Sequence, residues 1–285
     1  MDNFLVERPE VSVVIPLNED TNVLRQLLEN IKQLNLTAEV IVVCPASARI
    51  SVPQAHSSWV HVIPTDSSQT YDDSRAQGAY HAKGDVVLFL DERAIVAPAL
   101  LKKYVTDIQN GADIVLTGAE PVRANKRLNP PRNAYRLLNH LLGLHELGSS
   151  TMSKIPYACN RKALEILGHD GLRTPPLGLV RAVEAKLKIV KVSPLPAIAW
   201  SRDLQGIGKK GTRQILQDHA IAIQSILQVV GKRGGLPDGE RYRGLLKVPG
   251  QLHLRSAFYP QPKDDRGGKW GAKQKKKRTH VRKKK

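Results

Sequence analysis

Ser74-Arg-Ala-Gln-Gly-Ala-Tyr-His-Ala-Lys-Gly-Asp-Val-Val-Leu-Phe-Leu-Asp91 is the stretch that decides the fold. Residues 72 to 82 read as a helix, which Gly84 ends. The run Val86 to Leu90 that follows is apolar without interruption, as a strand buried on both faces must be, and it stops on a carboxylate. A helix feeding a short apolar strand is one turn of an alternating α/β chain.

The flanking sequence repeats the unit. Val11-Ser-Val-Val-Ile15 is a β-branched run ended by Pro16. From Asp20 the period becomes helical, with Val23, Leu24, Leu27, Leu28, Ile31 and Leu34 on one face. Glu39–Val43 and Trp59–Ile63 are expected strands stopped by Pro45 and Pro64. Residues 98 to 109 form a helix, and Asp113–Thr117 a fifth strand. A short helix is expected at 134 to 144, after a break at Pro130-Pro131. Helices at Ala163–Leu167 and Leu179–Leu187 flank a Gly/Pro-rich loop from Gly168 to Gly178. Ile189–Val192 is a strand, and a helix runs from about Thr212 to Val230. This pattern predicts a mostly parallel sheet with helices on both faces, an α/β fold whose ligands bind beyond the carboxyl ends of the strands. Neither G-x-G-x-x-G nor G-x-x-x-x-G-K-[ST] follows the first strand, which disfavours a dinucleotide fold or a P-loop NTPase.

Composition narrows the class. The 285 residues are 41% hydrophobic, enough for a substantial core. Two cysteines, Cys44 and Cys159, make neither a disulfide scaffold nor a four-cysteine zinc module. No apolar run approaches the roughly 20 residues that span a bilayer, and the first ten residues lack the apolar stretch of a secretory signal. A cytoplasmic protein is expected.

Three segments together resemble a family 2 glycosyltransferase of the GT-A fold. Val11-Ser-Val-Val-Ile-Pro-Leu-Asn-Glu19 is similar to the family's opening strand and Pro-x-x-Asn-Glu turn. Ser74–Asp91 is similar to its Arg/Asn-x-Gly helix and the strand that ends at the metal-binding aspartate. Pro156-Tyr-Ala-Cys-Asn-Arg-Lys-Ala-Leu-Glu-Ile-Leu-Gly168 resembles the acceptor-side segment before the catalytic loop. The resemblance implies a three-layer fold over residues 1–250, with a nucleotide half to about residue 120 and an acceptor half from 121. It implies sugar transfer from a nucleotide-diphosphate donor to a glycan or lipid-linked acceptor hydroxyl, inverting and assisted by Mg²⁺ or Mn²⁺. On this pattern Pro16, Asn18 and Glu19 meet the nucleotide, Arg75 and Arg93 the diphosphate, and Asp91 the metal. The chemistry asks for such groups: a diphosphate leaving group needs its charge neutralised, and the acceptor hydroxyl needs a base.

The chain also departs from the family. Asp91-Glu92-Arg93 stands where Asp-x-Asp is usual, and Cys44-Pro-Ala-Ser47 replaces Asp-Asp-Gly-Ser. No carboxylate falls at Thr174-Pro175, the place of the family's base; Asp170 is nearest, and the Asp218-His219 pair on the last helix offers another, with His219 as the second catalytic candidate. A second reading is therefore a glycosyltransferase-like protein that binds or scaffolds without catalysis.

The formal charge of +18 is unevenly spread. Residues 263–285 hold 12 basic and 2 acidic residues, leaving +8 to the other 262. From Pro262 on the chain lacks the apolar surface to offset ordering entropy, and residues 251–285 are expected to form a disordered basic tail. Lys275-Lys-Lys-Arg278 and Arg282-Lys-Lys-Lys285 suit an anionic membrane surface at the inner face, ahead of nucleic acid, since the body has no nucleic-acid motif.

Overall fold

A computed structural model describes residues 8–17, 21–48, 50, 56, 58–66, 69–92, 94–118, 129–192, 198–200 and 209–231. The basic tail, Asn18, Glu19 and Arg93 lie outside these.

The elements in chain order are β1 (Val11–Pro16), α1 (Thr21–Lys32), β2 (Ala38–Pro45), β3 (Val60–Thr65), α2 (Tyr71–His81) and β4 (Val86–Phe89). There follow β5 (Ala94–Val96), α3 (Pro98–Gln109), β6 (Ile114–Thr117), α4 (Pro130–Leu141), a 3₁₀ turn (His145–Leu147) and β7 (Tyr157–Asn160). The last are α5 (Arg161–Arg173), α6 (Pro175–Glu184), β8 (Ile189–Val192), β9 (Ile198–Trp200) and α7 (Lys209–Val230).

Seven strands form one sheet in the order β3-β2-β1-β4-β7-β6-β8. All run parallel except β7, which lies antiparallel between β4 and β6. A separate antiparallel pair joins β5 to β9. Alternate strand residues feed two cores. Val13, Ile15, Val40, Val42 and Leu88 pack with α1 and α3, while Val14, Ile41, Val43, Val87 and Phe89 pack with α2 and α4–α7. This is the expected three-layer α/β architecture, a mostly parallel sheet with helices on both faces.

Four local expectations change. Strand β3 runs through Pro64 to Thr65, because β3 is an edge strand and a proline there forfeits no ladder bond it needs. Pro130 and Pro131 begin α4 rather than break the chain: they sit in its first turn, where a missing N–H costs nothing, and Asn129 caps it through Arg132 N. The segment 168–178 is helical, not a loop. Chain direction bends at Gly168 (φ 61°), and α6 restarts on Pro175 at its first turn. Close contact of the two helices demands glycine, since a Cβ on Gly178 would stand 2.4 Å from the Gly171 carbonyl oxygen. Finally, β7 is a strand that the apolar pattern did not separate from its neighbours.

Two features hold the Ser74–Asp91 unit to the sheet. At the amino-terminal edge Ser12 Oγ donates to Glu39 Oε1 (2.5 Å), and the amides of Lys83 and Gly84 donate to Glu39 Oε1 (2.6 Å) and Ser12 Oγ (2.7 Å). Beneath α2, a Cβ on Gly78 would lie 2.5 Å from Val14 Cγ1 and 3.0 Å from Val43 Cγ2. Gly78→Ala therefore overpacks the helix–sheet contact and is expected to cost about 2 kcal/mol in urea unfolding. An unchanged midpoint would contradict that contact.

Candidate active site

The carboxyl ends of β1, β4 and β6 share one edge of the sheet. Because β7 enters antiparallel, its first residue, Tyr157, opens at that same edge, opposite Phe89 and Leu116. Helix α2 starts there too, just after β3. These elements bring together side chains far apart in sequence.

Pro16 closes β1, and Leu17 N donates to Val43 O (2.9 Å) as the chain leaves the sheet. Asp91 follows β4 and is buried, 1% exposed, with Leu90 N on Val14 O holding the strand end in place. Its neighbour Glu92 accepts a hydrogen bond from Tyr71 Oη at 2.6 Å, which ties the turn after β4 to the start of α2.

The first turn of α2 is densely charged. Thr70 caps it, with Asp73 reciprocating in a capping box. Asp73 also receives Arg173 Nε of α5 at 2.5 Å. Partial burial pushes the Asp73 carboxyl up, but bonds from Thr70 and the Arg173 guanidinium outweigh it and hold the carboxyl below its ordinary range. One residue earlier, Asp72 pairs with Arg75 Nη2 at 2.9 Å. Arg75 is 2% exposed, and its Nε and Nη1 find no hydrogen-bond partner among the described residues.

Tyr157 is fully buried beside Arg75 and stacks on Phe89 at 4.4 Å. Burial drives its hydroxyl far above the usual tyrosine range, only partly opposed by the Arg75 charge. From α4, Tyr135 is pushed up to about 12 by burial and by the Asp72 carboxylate. Tyr135 in turn packs on His219 of α7, ring centroids 5.0 Å apart. Asp218 is half-buried, accepts from Gln214 Nε2 (2.8 Å), and is raised to about 6 by burial and by Asp72.

The structure thus joins Arg75, Asp72, Tyr157, Tyr135, Asp218 and His219 into one polar cluster at the carboxyl edge of the sheet. Among the described residues Asp170 is not part of it. Asp170 lies on α5 with its side chain 75% exposed, and its one ion pair is with His169 at 3.9 Å. The expected catalytic loop is a helix, which carries this carboxylate on its solvent face.

His219 is 1% exposed. Its Nδ1 lies 2.7 Å from the Ile215 carbonyl, which can only accept, so Nδ1 carries the proton and Nε2 the lone pair. Burial lowers its affinity for a second proton. The ring therefore acts as a neutral wall behind Tyr135. Cys44 and Cys159 are buried thiols, both pushed up by burial and so unreactive.

Sequence reading missed the partners that complete the cluster. The signal for Asp72 was present, three residues before Arg75 on one helix face. Tyr135 and Tyr157 gave none beyond their place in helical and strand patterns.

Asp218 binds its proton more tightly folded than unfolded, so its contribution to stability is full below about pH 4 and is lost as pH rises through about 6. Allowing for its partial exposure, Asp218→Asn is expected to stabilise the protein by about 1 kcal/mol at pH 8 and by nothing at pH 4. Paired thermal melts at the two pH values measure this.

Residues 12–165, more than half of the chain, match glycosyl transferase family 2. The chain belongs to that family. A curated relative, an uncharacterized glycosyltransferase of Haemophilus influenzae (strain ATCC 51907 / DSM 11121 / KW20 / Rd), is 32% identical over 106 residues, and the match spans 36% of each protein. Among solved structures, glucosyl-3-phosphoglycerate synthase from Mycobacterium tuberculosis superposes with a TM-score of 0.55. Its identity is 20%, covering 81% of this chain and 82% of that one; its structure holds Mn²⁺, uridine diphosphate and glucosyl-3-phosphoglycerate. A mycobacterial protein superposes equally well at 18% identity, covering 81% of this chain and 76% of its own. At such identities the superpositions establish the GT-A glycosyltransferase fold of this family 2 chain. The family match ends in α5, so Asp218 and His219 lie beyond it.

Proposed function

We propose that this family 2 protein transfers a sugar from a nucleotide-diphosphate donor to an acceptor hydroxyl, with inversion. The observation that carries the reading is the buried Asp91 just after β4, whose neighbour Glu92 is bonded to Tyr71 at the start of α2, the helix that carries the Asp72–Arg75 pair. A carboxylate at a strand end faces the ligand crevice of such sheets. We assign Pro16, Asn18 and Glu19 to the nucleotide, and Arg75 and Arg93 to the diphosphate.

A divalent cation is part of the proposal, as in the uridine diphosphate and Mn²⁺ complex of the mycobacterial synthase. Among the described residues no three of His, Cys, Asp or Glu cluster to cage one. A cation shared with a ligand's phosphates needs only one or two carboxylates, and the hard oxygens of Asp91 fit that arrangement. When bound, it would neutralise charge on the leaving diphosphate. Mg²⁺ and Mn²⁺ both suit such oxygens.

Asp218 is the carboxylate we assign to the acceptor's proton. Its value near 6 suits proton uptake at neutral pH, and it faces the same cluster as Arg75. This replaces Asp170 as base. The site acts at the inner face of the membrane, with the basic tail drawn to anionic lipid. Among the described residues no helix is long and apolar enough to cross a bilayer.

Calorimetry with uridine and guanosine diphosphates and their sugar conjugates, with and without Mn²⁺, tests the reading. Metal-dependent binding of at least one donor, followed by slow release of its sugar to water, is expected. Donor binding without any sugar release to water or to acceptors would favour the non-catalytic alternative. No binding of any nucleotide would refute both the donor site and the transfer.

A further inference from the structure

Helix α4 and the 3₁₀ turn that follows it enclose a cavity of about 440 Å³ lined by Asn133, Arg136, Asn139, His140, His145 and Gly148. Among the described residues its charged and titratable lining consists of one guanidinium and two imidazoles, with no carboxylate. The two imidazoles meet edge to face, 4.5 Å between centroids. Gly148 adopts φ +58°, and a Cβ there would meet nothing within 4 Å, so the chain leaves the space open.

Asn139 is the built element of this groove. It is 1% exposed, and its Nδ2 donates to both Gly148 O (3.0 Å) and Ser150 O (2.9 Å). Two carbonyl acceptors fix which end of the amide is nitrogen. Its Oδ1 is then a buried acceptor with no partner among the described residues. A buried acceptor without a donor costs free energy, so a ligand hydroxyl that met it would be bound favourably. Arg136, His140 and His145 supply donors to an anion around it.

The groove adjoins the active-site cluster. Asn139 lies four residues after Tyr135 on α4, hence on the same face, about 6 Å further along the helix axis. Tyr135 is the residue that touches His219 and feels Asp72.

We infer that this groove is an acceptor subsite that holds a phosphoryl group carried on a hydroxylated backbone, a polyol phosphate. The assignment to the acceptor rests on the transferase reading above. Phosphoryl oxygens meet Arg136, His140 and His145, and a neighbouring hydroxyl donates to Asn139 Oδ1. The same chemistry is offered by a soluble polyol phosphate and by a glycerophospholipid headgroup.

The test follows the imidazole resonances of His140 and His145 by NMR in the full chain. The probes are glycerol 3-phosphate and dihexanoyl phosphatidylglycerol below its micelle concentration, with glycerol as the uncharged control. Both resonances are expected to shift saturably with at least one phosphate probe and not with glycerol. Arg136→Glu should weaken that titration at least tenfold, and Arg136→Gln less. Response to the first probe alone identifies a soluble acceptor, and response to the lipid alone a headgroup. No shift with either probe, or an undiminished shift in Arg136→Glu, overturns the proposal. Arg136 is exposed, and a thermal melt confirms that the variant is folded. Donor binding by the unaltered chain is read separately. Its failure would sink the transferase reading and leave the phosphate titration standing.

Discussion

Asp91→Asn is expected to abolish metal-dependent donor binding and to lower sugar release by about a thousandfold. Asparagine preserves the size of the side chain at a position only 1% exposed, so the fold survives. It removes the buried charge after β4 that the proposal above gives to the cation. Transition-state stabilisation by such a group is typically worth two to three orders of magnitude or more. The measurement is paired: nucleotide affinity with and without Mn²⁺, and donor turnover. The wild type should show a gap between the two affinities, and the variant should show none. A variant that keeps the gap would remove Asp91 from the metal site.

Arg75→Met is the second large effect, and it acts on both stability and function. The guanidinium is buried between Asp72 and Tyr157, so methionine replaces its volume but takes its compensating charge away from the Asp72 carboxylate. Breaking a fully buried pair costs 3–5 kcal/mol, whereas an exposed pair is worth little. Asp72 keeps 26% of its side-chain surface, which places the expected loss at about 2 kcal/mol in urea unfolding. Arg75→Lys should recover less than half of it, because an ammonium cannot reach Asp72 and Tyr157 with one planar fork. Combining Arg75→Met with Asp72→Asn should cost less than the sum of the two changes. Strict additivity would show that the pair contributes nothing.

Much of β1 to β6 was legible because those elements are local. The β-branched runs at Val11–Ile15 and Glu39–Val43 and the helical spacing after Asp20 each carry their own period. The strand-end position of Asp91 follows from those periods alone. What resisted reading depended on distant partners. Pro130, Pro131 and the 168–178 segment look like breakers, but proline in a helix's first turn is favourable, and glycine is required where α5 and α6 touch. The site cluster draws on positions 72 and 75, 135, 157, and 218 and 219, four stretches far apart in sequence. Asp170 reads as a loop carboxylate because glycines and prolines from Gly168 to Gly178 surround it. The geometry of α5 turned it to water.

The two ends of the seven-stranded sheet have a consequence for how the protein behaves when crowded. An open sheet offers a row of unpaired backbone groups at each margin, and a second chain can add to that row. Here β3 spends one of its positions on Pro64, which has no N–H to offer. At the other margin β8 is only four residues long and includes Lys191, whose amine is held by the Glu146 carbonyl. Both margins are thus poor templates for strand addition. Fibrous or sheet-mediated self-association should stay slow even at high concentration, leaving the molecule's encounters to its charged surfaces.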